Sequence, residues 1–227
     1  MKRSVDMTGS VVFRNRRHAG QVLAGALGAY GDRPDVVVLA LPRGGVPVGF
    51  EVAKALHAPL EVLIVRKVGE PGFEEYAIGA IASGGVQVLN EKVIRQLGID
   101  EAAVKAIVQS EEREIERRER LYRGDRPALD VRGRTVILVD DGLATGLTML
   151  AAIEALQVQQ PGRLVVAVPT GAAETCEDLR ARADEVICVA TPAPFRAVGL
   201  WYEDFLQTSD AEVRQLLGRA HALAAIP

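Results

Sequence analysis

The sequence contains few cysteines and histidines and no long apolar run. Its two cysteines, Cys176 and Cys188, form no Cys-x-x-Cys pair, and its three histidines are scattered. This usage indicates free thiols in a reducing cytoplasm and no His/Cys metal site. No apolar run approaches the length of a bilayer span, and the amino-terminal MKRSVDMTGS lacks the apolar core of a secretory signal. We therefore expect a cytoplasmic protein with no membrane partner.

An excess of positive charge is also missing. The 227 residues carry 27 basic and 30 acidic side chains, for a net charge of −3, whereas a general nucleic-acid binder shows a basic surplus. The densest basic stretch, 113–126, is interleaved with glutamates, as on a solvated helix. The composition therefore favours a globular protein with no nucleic-acid partner.

The sequence does contain a regular alternation of short apolar runs and longer amphipathic stretches. Continuous apolar runs typify strands that are buried on both faces of a parallel sheet, and their alternation with helices typifies α/β folds. The predicted strands are 36–41, 60–65, 135–139, 163–169 and 185–190, and the predicted helices are 46–56, 100–122, 146–156, 172–182 and a last one from 210. A hairpin is predicted from 77–82 and 86–89, and 66–79 is predicted to be a mobile loop.

The chain shows no internal repeat and no low-complexity linker. We predict one domain over 1–227, with a core of about 12–190 and a small appended lobe of about 191–227. The predicted fold class is α/β, with an open, mostly parallel sheet covered by helices on both faces.

The strand predicted at 135–139 leads into two adjacent acids, Asp140 and Asp141, and then into the loop GLATGLT. Ligands of open parallel sheets bind beyond the carboxyl ends of the strands. Backbone N–H groups where a loop enters a helix attract anions, whereas a Walker loop would need a lysine where Leu147 stands. The paired carboxylates can accept hydrogen bonds from a cis-diol or coordinate Mg²⁺ through its waters. A ribose 5-phosphate would satisfy both halves of this stretch.

The stretch VILVDDGLATGLT, 136–148, resembles the 5-phosphoribosyl-1-pyrophosphate (PRPP) motif of type I phosphoribosyltransferases at all thirteen positions. The resemblance extends over about 12–215. It implies that Asp140 and Asp141 hold the ribose hydroxyls and Mg²⁺, the metal directly or through water. It implies that the 5-phosphate is held by Gly142, Leu143, Ala144, Thr145, Gly146, Leu147 and Thr148.

Two further segments resemble the parts of this family that meet pyrophosphate. LPRGGVPVG, 41–49, follows the first core strand, where family members often have an unusual peptide bond. VRK, 65–67, stands where the family places basic residues before a flexible loop. The implied pyrophosphate-binding residues are Pro42, Arg43, Gly44, Gly45, Arg66 and Lys67. The alternatives are a plain strand-to-helix turn and hydrated surface charges.

The resemblance leaves the acceptor open. Members that act on 6-oxopurines often carry an aspartate where this chain has Ala144. The flexible loop, about 68–78, contains a Glu-Tyr pair, which resembles adenine-type members. This makes Glu75 a candidate general acid or base, with a solvated acidic loop as the alternative.

The irregular segment 191–208 lies where the family builds a hood over the acceptor base. Its aromatic residues include Trp201 and Tyr202, which are candidates for stacking on the base. The alternative is that these rings pack the appended lobe.

The resemblance implies a Mg²⁺-dependent transferase of nucleotide salvage, in which a nitrogenous base displaces pyrophosphate from PRPP. The implied catalytic residues are Arg66, Lys67, Glu75, Asp140 and Asp141. Members of the family commonly form homodimers, so we expect one here. The alternative function is a catalytically silent PRPP sensor or regulator of the same fold.

Overall fold

The computed structural model describes residues 12–70, 73–124, 126 and 129–224, without the side chains of 70 and 73–77. The described helices are α1 Arg16–Ala26, α2 Gly45–Leu56, α3 Glu91–Leu97, α4 Glu101–Arg123, α5 Leu147–Val158, α6 Ala173–Arg180 and α7 Asp210–Ala224. The described strands are β1 Val36–Ala40, β2 Leu60–Val62, β3 Val65–Glu70, β4 Phe73–Ala82, β5 Val86–Leu89, β6 Thr135–Val139, β7 Arg163–Thr170 and β8 Glu185–Ala190. No described helix combines the length and apolarity that a membrane span requires.

The main sheet has five strands in the order β2-β1-β6-β7-β8, and every neighbouring pair is parallel. Alternate residues of each strand face opposite sides, so the apolar runs feed two separate cores. On one side Val38 and Ile137 pack with residues of α1, α2, α4 and α7. On the other side Leu39 and Leu138 pack with residues of α5 and α6. The predicted α/β class, with helices on both faces of a parallel sheet, is confirmed.

A second sheet corrects two predictions. The strand predicted at 60–65 is divided, because the main chain leaves the parallel sheet after β2 and the Ile64 N–H then donates to Ser83 Oγ at 3.0 Å. The segment predicted as a mobile loop, 66–79, is largely occupied by the antiparallel strands β3 and β4. Cross-strand pairing determines this structure, and pairing partners cannot be identified from local glycine and proline content. The predicted hairpin of β4 and β5 is confirmed.

The carboxyl-terminal segment crosses the end of the main sheet and returns to the body of the protein. Phe13 and Tyr202 form a parallel bridge that joins this segment to the amino-terminal end. Ser209 then caps α7, because its Oγ accepts a hydrogen bond from the Glu212 N–H at 3.1 Å. Val213 and Leu217 of α7 are fully buried against the helices on one face of the main sheet. The irregular part, 191–209, is therefore positioned at both of its ends.

Candidate functional site

The two adjacent acids lie where the buried strand β6 ends. The five residues of β6 are all buried, which fixes the main chain immediately before Asp140. The Asp141 N–H donates to Asp140 Oδ1 at 2.8 Å. The Asp141 carbonyl accepts a hydrogen bond from the Tyr202 hydroxyl at 2.6 Å. The position of the acidic pair is therefore set by the sheet on one side and by the segment 191–209 on the other.

Arg16, on α1, forms an ion pair with the second acid. Its Nε donates to Asp141 Oδ2 at 2.7 Å, and the two side chains are only 12% and 15% exposed. Burial raises the pKa of Asp141, and the Arg16 charge opposes that increase. Burial and the Asp141 charge raise the pKa of Asp140 well above its ordinary value. The site therefore combines two crowded carboxylates with one compensating cation.

The loop that follows β1 packs directly against these carboxylates. The peptide bond between Pro42 and Arg43 is cis, which is the kind of unusual bond that the family resemblance implies for this loop. A Cβ on Gly44 would lie 2.0 Å from Asp141 Oδ2, and one on Gly45 would lie 3.1 Å from Asp140 Oδ1. The structure thus brings the predicted pyrophosphate and ribose segments into contact.

The backbone of this loop has donors without an acceptor among the described residues. Within the described residues, the N–H groups of Arg43 and Gly44 donate to no acceptor, whereas the Gly45 N–H donates to the Leu41 carbonyl at 3.0 Å. The Arg43 side chain is directed towards α7, with its Nη1 3.9 Å from Asp210 Oδ1. Of the three N–H groups, those of Arg43 and Gly44 therefore remain available to an anion, and that of Gly45 does not.

The predicted phosphate loop, 142–148, is anchored at its start and open at its end. The Leu143 N–H donates to the Thr170 carbonyl at 2.9 Å, and Thr175 Oγ1 donates to the Ala144 carbonyl at 2.7 Å. Gly146 has a positive φ of 69° just before α5, a conformation that favours glycine. This loop is therefore held by β7 and α6 while its last residues lead into a helix.

The amino terminus of α5 has the free donors of an anion site. Within the described part of the chain, the N–H groups of Leu147, Thr148 and Met149 donate to no acceptor, as expected for the first turn of a helix. Ala144, Thr145, Leu147 and Thr148 are exposed. These N–H groups and the helix dipole favour a phosphate here. The N–H of Leu143 is already bonded, so it does not contribute.

The structure does not bring the basic pair of β3 to the acids. Arg66 Nε donates to Glu111 Oε2 of α4 at 2.5 Å, and this contact raises the pKa of Arg66. Lys67 is exposed, and as the next residue of a strand it faces the opposite side of the sheet. Glu75 belongs to β4, but its side chain lies outside the described residues. No contact within the described part of the chain joins Arg66 or Lys67 to Asp140 or Asp141.

The two candidate stacking residues are engaged with protein. The Tyr202 ring packs against Phe13 and Phe205, with centroids 5.6 and 4.9 Å away, and its hydroxyl is bonded to Asp141. Trp201 stacks on Phe195 at 6.2 Å, although its buried Nε1 has no partner among the described residues. This packing favours the alternative that both rings support the lobe.

A cavity of about 380 Å³ opens beside the acids. It is bordered by the loop after β1, by Asp141 and by residues of the segment 191–209, and Phe205 supplies its aromatic wall. The residues that line it are Arg16, Arg43, Gly44, Asp141, Val198, Phe205, Gln207 and Thr208. The size and composition suit a small planar ligand held beside a polar group.

Arg16 is the site residue that sequence reasoning missed. It lies 125 positions from its partner Asp141, in a segment, RNRRH, whose arginines look alike in the sequence. The only available signal was the cluster of basic residues ahead of an apolar helix face, and that signal does not distinguish Arg16 from Arg17.

The acidic pair fits a magnesium ion that the substrate helps to bind. Within the described ranges, His, Cys, Asp and Glu form no group of three that would make a complete cage. Asp140 Oδ2 and Asp141 Oδ1 accept no hydrogen bond from the described residues. Mg²⁺ is commonly held by one or two carboxylates together with waters and substrate phosphates. The two free oxygens are the donor set that such binding needs.

Comparison with known proteins identifies the family. The model of the phosphoribosyl transferase domain matches residues 11–203, and the chain belongs to this family. Two proteins from strains of Mycobacterium tuberculosis, provisionally named phosphoribosyl transferases, are each 47% identical over 210 residues, covering 92% of this chain and 47% of theirs. The chain thus spans about half the length of these curated relatives.

Two further similarities are to a solved structure and to another curated protein. The crystal structure of the protein TT1426 from Thermus thermophilus is 43% identical, with a TM-score of 0.81 over 91% of this chain and 98% of that one. A ribose-phosphate pyrophosphokinase from Methanopyrus kandleri is 33% identical over 144 residues, which cover 54% of this chain and 49% of that protein. The main sheet and its helices thus have a close structural counterpart in the Thermus protein.

Proposed function

We propose that this chain is a Mg²⁺-dependent phosphoribosyltransferase, which transfers the 5-phosphoribosyl group of PRPP to a nitrogenous base and releases pyrophosphate. The observation that carries the proposal is the meeting of three anion- and sugar-binding features at one sheet edge. Asp140 and Asp141 touch the loop of Pro42 to Gly45, and the open amino terminus of α5 follows the same acids. The family membership supports this assignment.

The acids and the two loops bind different parts of PRPP. The free oxygens of Asp140 and Asp141 accept hydrogen bonds from the ribose hydroxyls, while the first N–H groups of α5 hold the 5-phosphate. The free N–H groups of Arg43 and Gly44 bind the pyrophosphate. When bound at the acids, Mg²⁺ supplies positive charge that stabilises the departing pyrophosphate. These contacts position C1 of the ribose for displacement.

In the reaction, the bond between C1 and the pyrophosphate oxygen breaks and a bond from C1 to the base nitrogen forms. C1 becomes positively charged as pyrophosphate leaves, and the two nearby carboxylates stabilise that charge. Glu75 is our candidate for taking the proton that the base loses, on the basis of the sequence resemblance alone. For Arg66 and Lys67 to reach the pyrophosphate, β3 and β4 must move or Arg66 must release Glu111.

The acceptor is proposed to enter the cavity beside Asp141. Phe205 borders that cavity with the Arg16 guanidinium over its ring, whereas Tyr202 is enclosed by other rings. This chain has Ala144 where enzymes acting on 6-oxopurines often have an aspartate, and this difference supports a base of another class. The proposed setting is a cytoplasmic homodimer with a role in nucleotide salvage.

The first test is pyrophosphate release from PRPP and Mg²⁺ with adenine, hypoxanthine, guanine, xanthine, uracil, orotate or no base. We expect release that depends on one class of base. Asp140→Asn/Asp141→Asn should lower this rate by about 10²–10³-fold, since the groups that stabilise charge at C1 are lost. Asp178→Asn is the matched control, because Asp178 is exposed on α6.

The outcomes separate the alternatives. Tight PRPP binding without release on any base would favour the silent sensor. Loss of PRPP without consumption of a base would indicate a hydrolase. An absence of PRPP binding would contradict the proposal altogether.

A further inference from the structure

One guanidinium joins the sugar-binding acid to the segment 191–209. Arg16 Nε donates to Asp141 Oδ2 at 2.7 Å, and Arg16 Nη1 donates to the Leu206 carbonyl at 2.6 Å. The same guanidinium lies over the Phe205 ring, with its central carbon 3.8 Å from the ring centroid. Arg16 therefore makes three contacts that belong to two different parts of the site.

The surroundings make these contacts specific to this arginine. The Arg16 side chain is 12% exposed, and the fixed fork of the guanidinium matches two acceptors at once. The neighbouring Arg17 is 69% exposed and pairs with Glu51 of α2, away from the acids. Gly44 packs against the same carboxylate oxygen, since a Cβ built there would lie 2.0 Å from Asp141 Oδ2 and 3.3 Å from Arg16 Nε. The carboxylate is thus confined between α1 and the loop after β1.

We propose that Arg16 is a positioning residue that couples occupancy of the ribose site to the placement of the segment 191–209. This inference rests on the proposed binding of PRPP at Asp141. Arg16 orients Asp141 through Oδ2, which leaves Oδ1 for a ribose hydroxyl. A hydroxyl on Oδ1 sets the orientation of the carboxylate, and the Arg16 guanidinium bonded to Oδ2 follows it. The guanidinium then shifts with the Leu206 carbonyl to which it is bonded and with Phe205, which borders the acceptor cavity.

The only tryptophan of the chain can report this coupling. Trp201 directly precedes Tyr202, whose ring packs on Phe205 at 4.9 Å. We would titrate the intact protein with PRPP and Mg²⁺, follow Trp201 fluorescence, and measure the PRPP Kd separately by calorimetry. The variants are Arg16→Gln and Arg16→Lys, with Arg17→Gln as the matched control.

Wild-type protein and Arg17→Gln should bind PRPP with the same Kd and the same change in fluorescence. Arg16→Gln should bind PRPP about 10-fold more weakly, because Asp141 loses the charged hydrogen bond that orients it for the ribose, and should lose the fluorescence change at saturating PRPP. Arg16→Lys should recover most of the affinity, because the charge remains, but not the fluorescence change, because an ammonium lacks the fork. If Arg16→Gln fails to fold by circular dichroism, the Arg16→Lys result decides.

An unchanged Kd and an unchanged fluorescence response in both Arg16 variants would overturn the coupling while leaving the proposed function intact. A fluorescence change that is retained in Arg16→Lys, even with weakened PRPP binding, would overturn it as well. The fork of the guanidinium would then be unnecessary. Failure of the wild-type protein to bind PRPP would overturn the proposed function, and the coupling with it. The two failures are therefore distinguishable.

Discussion

At the scale of single residues, the candidate site depends on a glycine, which has no side chain, as much as on its charged residues. Gly44 has helical backbone angles, φ −61° and ψ −34°, which any residue can adopt. A side chain is excluded at this position only because Asp141 occupies the space that a Cβ would take. Asp141 is in turn held by Arg16 and by the Tyr202 hydroxyl. Small changes in this contact should therefore affect both ligand binding and folding.

The variant Gly44→Ala tests this directly. Its Cβ would lie 2.0 Å from Asp141 Oδ2 and 2.7 Å from Asp141 Cγ, so the carboxylate must move. We expect PRPP binding to weaken by at least about 10-fold, equivalent to the loss of about 1.4 kcal/mol, and the free energy of unfolding to fall by about 1–3 kcal/mol. Calorimetry and urea unfolding would measure the two effects.

Gly218→Ala is the matched control for that substitution. Gly218 is exposed on α7, and a Cβ there would meet nothing within 4 Å. The free energy of unfolding should rise by about 0.5–1 kcal/mol, since alanine favours the helix. Wild-type PRPP affinity in Gly44→Ala would contradict the close packing of the loop on Asp141.

At the scale of secondary-structure elements, α4 shows how a mostly solvated helix is attached to the sheet. Among the described residues, most of its ion pairs lie within the helix. One of them, Arg120 with Glu116, is exposed on both sides, and such exposed pairs stabilise little. One pair is different, because Arg123 and Glu61 of β2 are 8% and 6% exposed and 3.1 Å apart. The attachment of α4 beside β2 therefore depends on its last residue.

Arg123→Ala should lower the free energy of unfolding by about 3–5 kcal/mol, because it leaves the buried Glu61 carboxylate without its partner. Arg120→Ala, on the exposed face of the same helix, should change it by less than about 0.5 kcal/mol. Urea denaturation of both variants measures the difference. Equal effects of the two substitutions would show that the Arg123 pair is solvated in solution.

The contact of α4 with α7 should depend on alkaline pH. The Tyr122 hydroxyl donates to Asp210 Oδ1 at 2.5 Å, and burial together with this bond raises the pKa of Tyr122 to about 12. The neutral phenol is favoured in the folded protein. This stabilising contribution is therefore complete below the ordinary tyrosine pKa of about 10 and is lost as the pH rises through about 12.

The difference in phenolate absorbance between wild-type protein and Tyr122→Phe isolates this group. We expect the difference to titrate with a midpoint near 12, while circular dichroism confirms that both proteins remain folded. A midpoint near the ordinary tyrosine value would mean that Tyr122 is not buried against Asp210.

At the scale of the whole molecule, the family resemblance implies two copies of the chain. In sedimentation equilibrium we expect a species of twice the 24.3 kDa mass of the chain. The measurement should cover a range of protein concentrations. It should include Arg17→Gln, the control for the Arg16 variants, so that its oligomeric state is known as well. A single species of 24.3 kDa throughout this range would contradict the homodimer.

The sequence by itself determined the local elements and the chemistry of the central motif. Val36 to Ala40 and Thr135 to Val139 are apolar at nearly every position, and this pattern predicts strands covered on both faces, as observed. The Asp140–Asp141 pair followed by a glycine-containing loop predicted where a sugar phosphate would bind. These inferences depend on residues that are neighbours in the chain, which is why the sequence alone could supply them.

Only the tertiary structure decided which distant residues complete the site. It formed the paired strands β3 and β4 over most of 66–79, where local composition predicted a loop. It placed Arg66 on Glu111, and it enclosed Tyr202 between two other rings. It also selected Arg16 rather than Arg17 as the partner of Asp141. The physical reason is that ion pairs, ring packing and strand pairing depend on distances between segments far apart in sequence, and these distances are set by how the helices and strands pack.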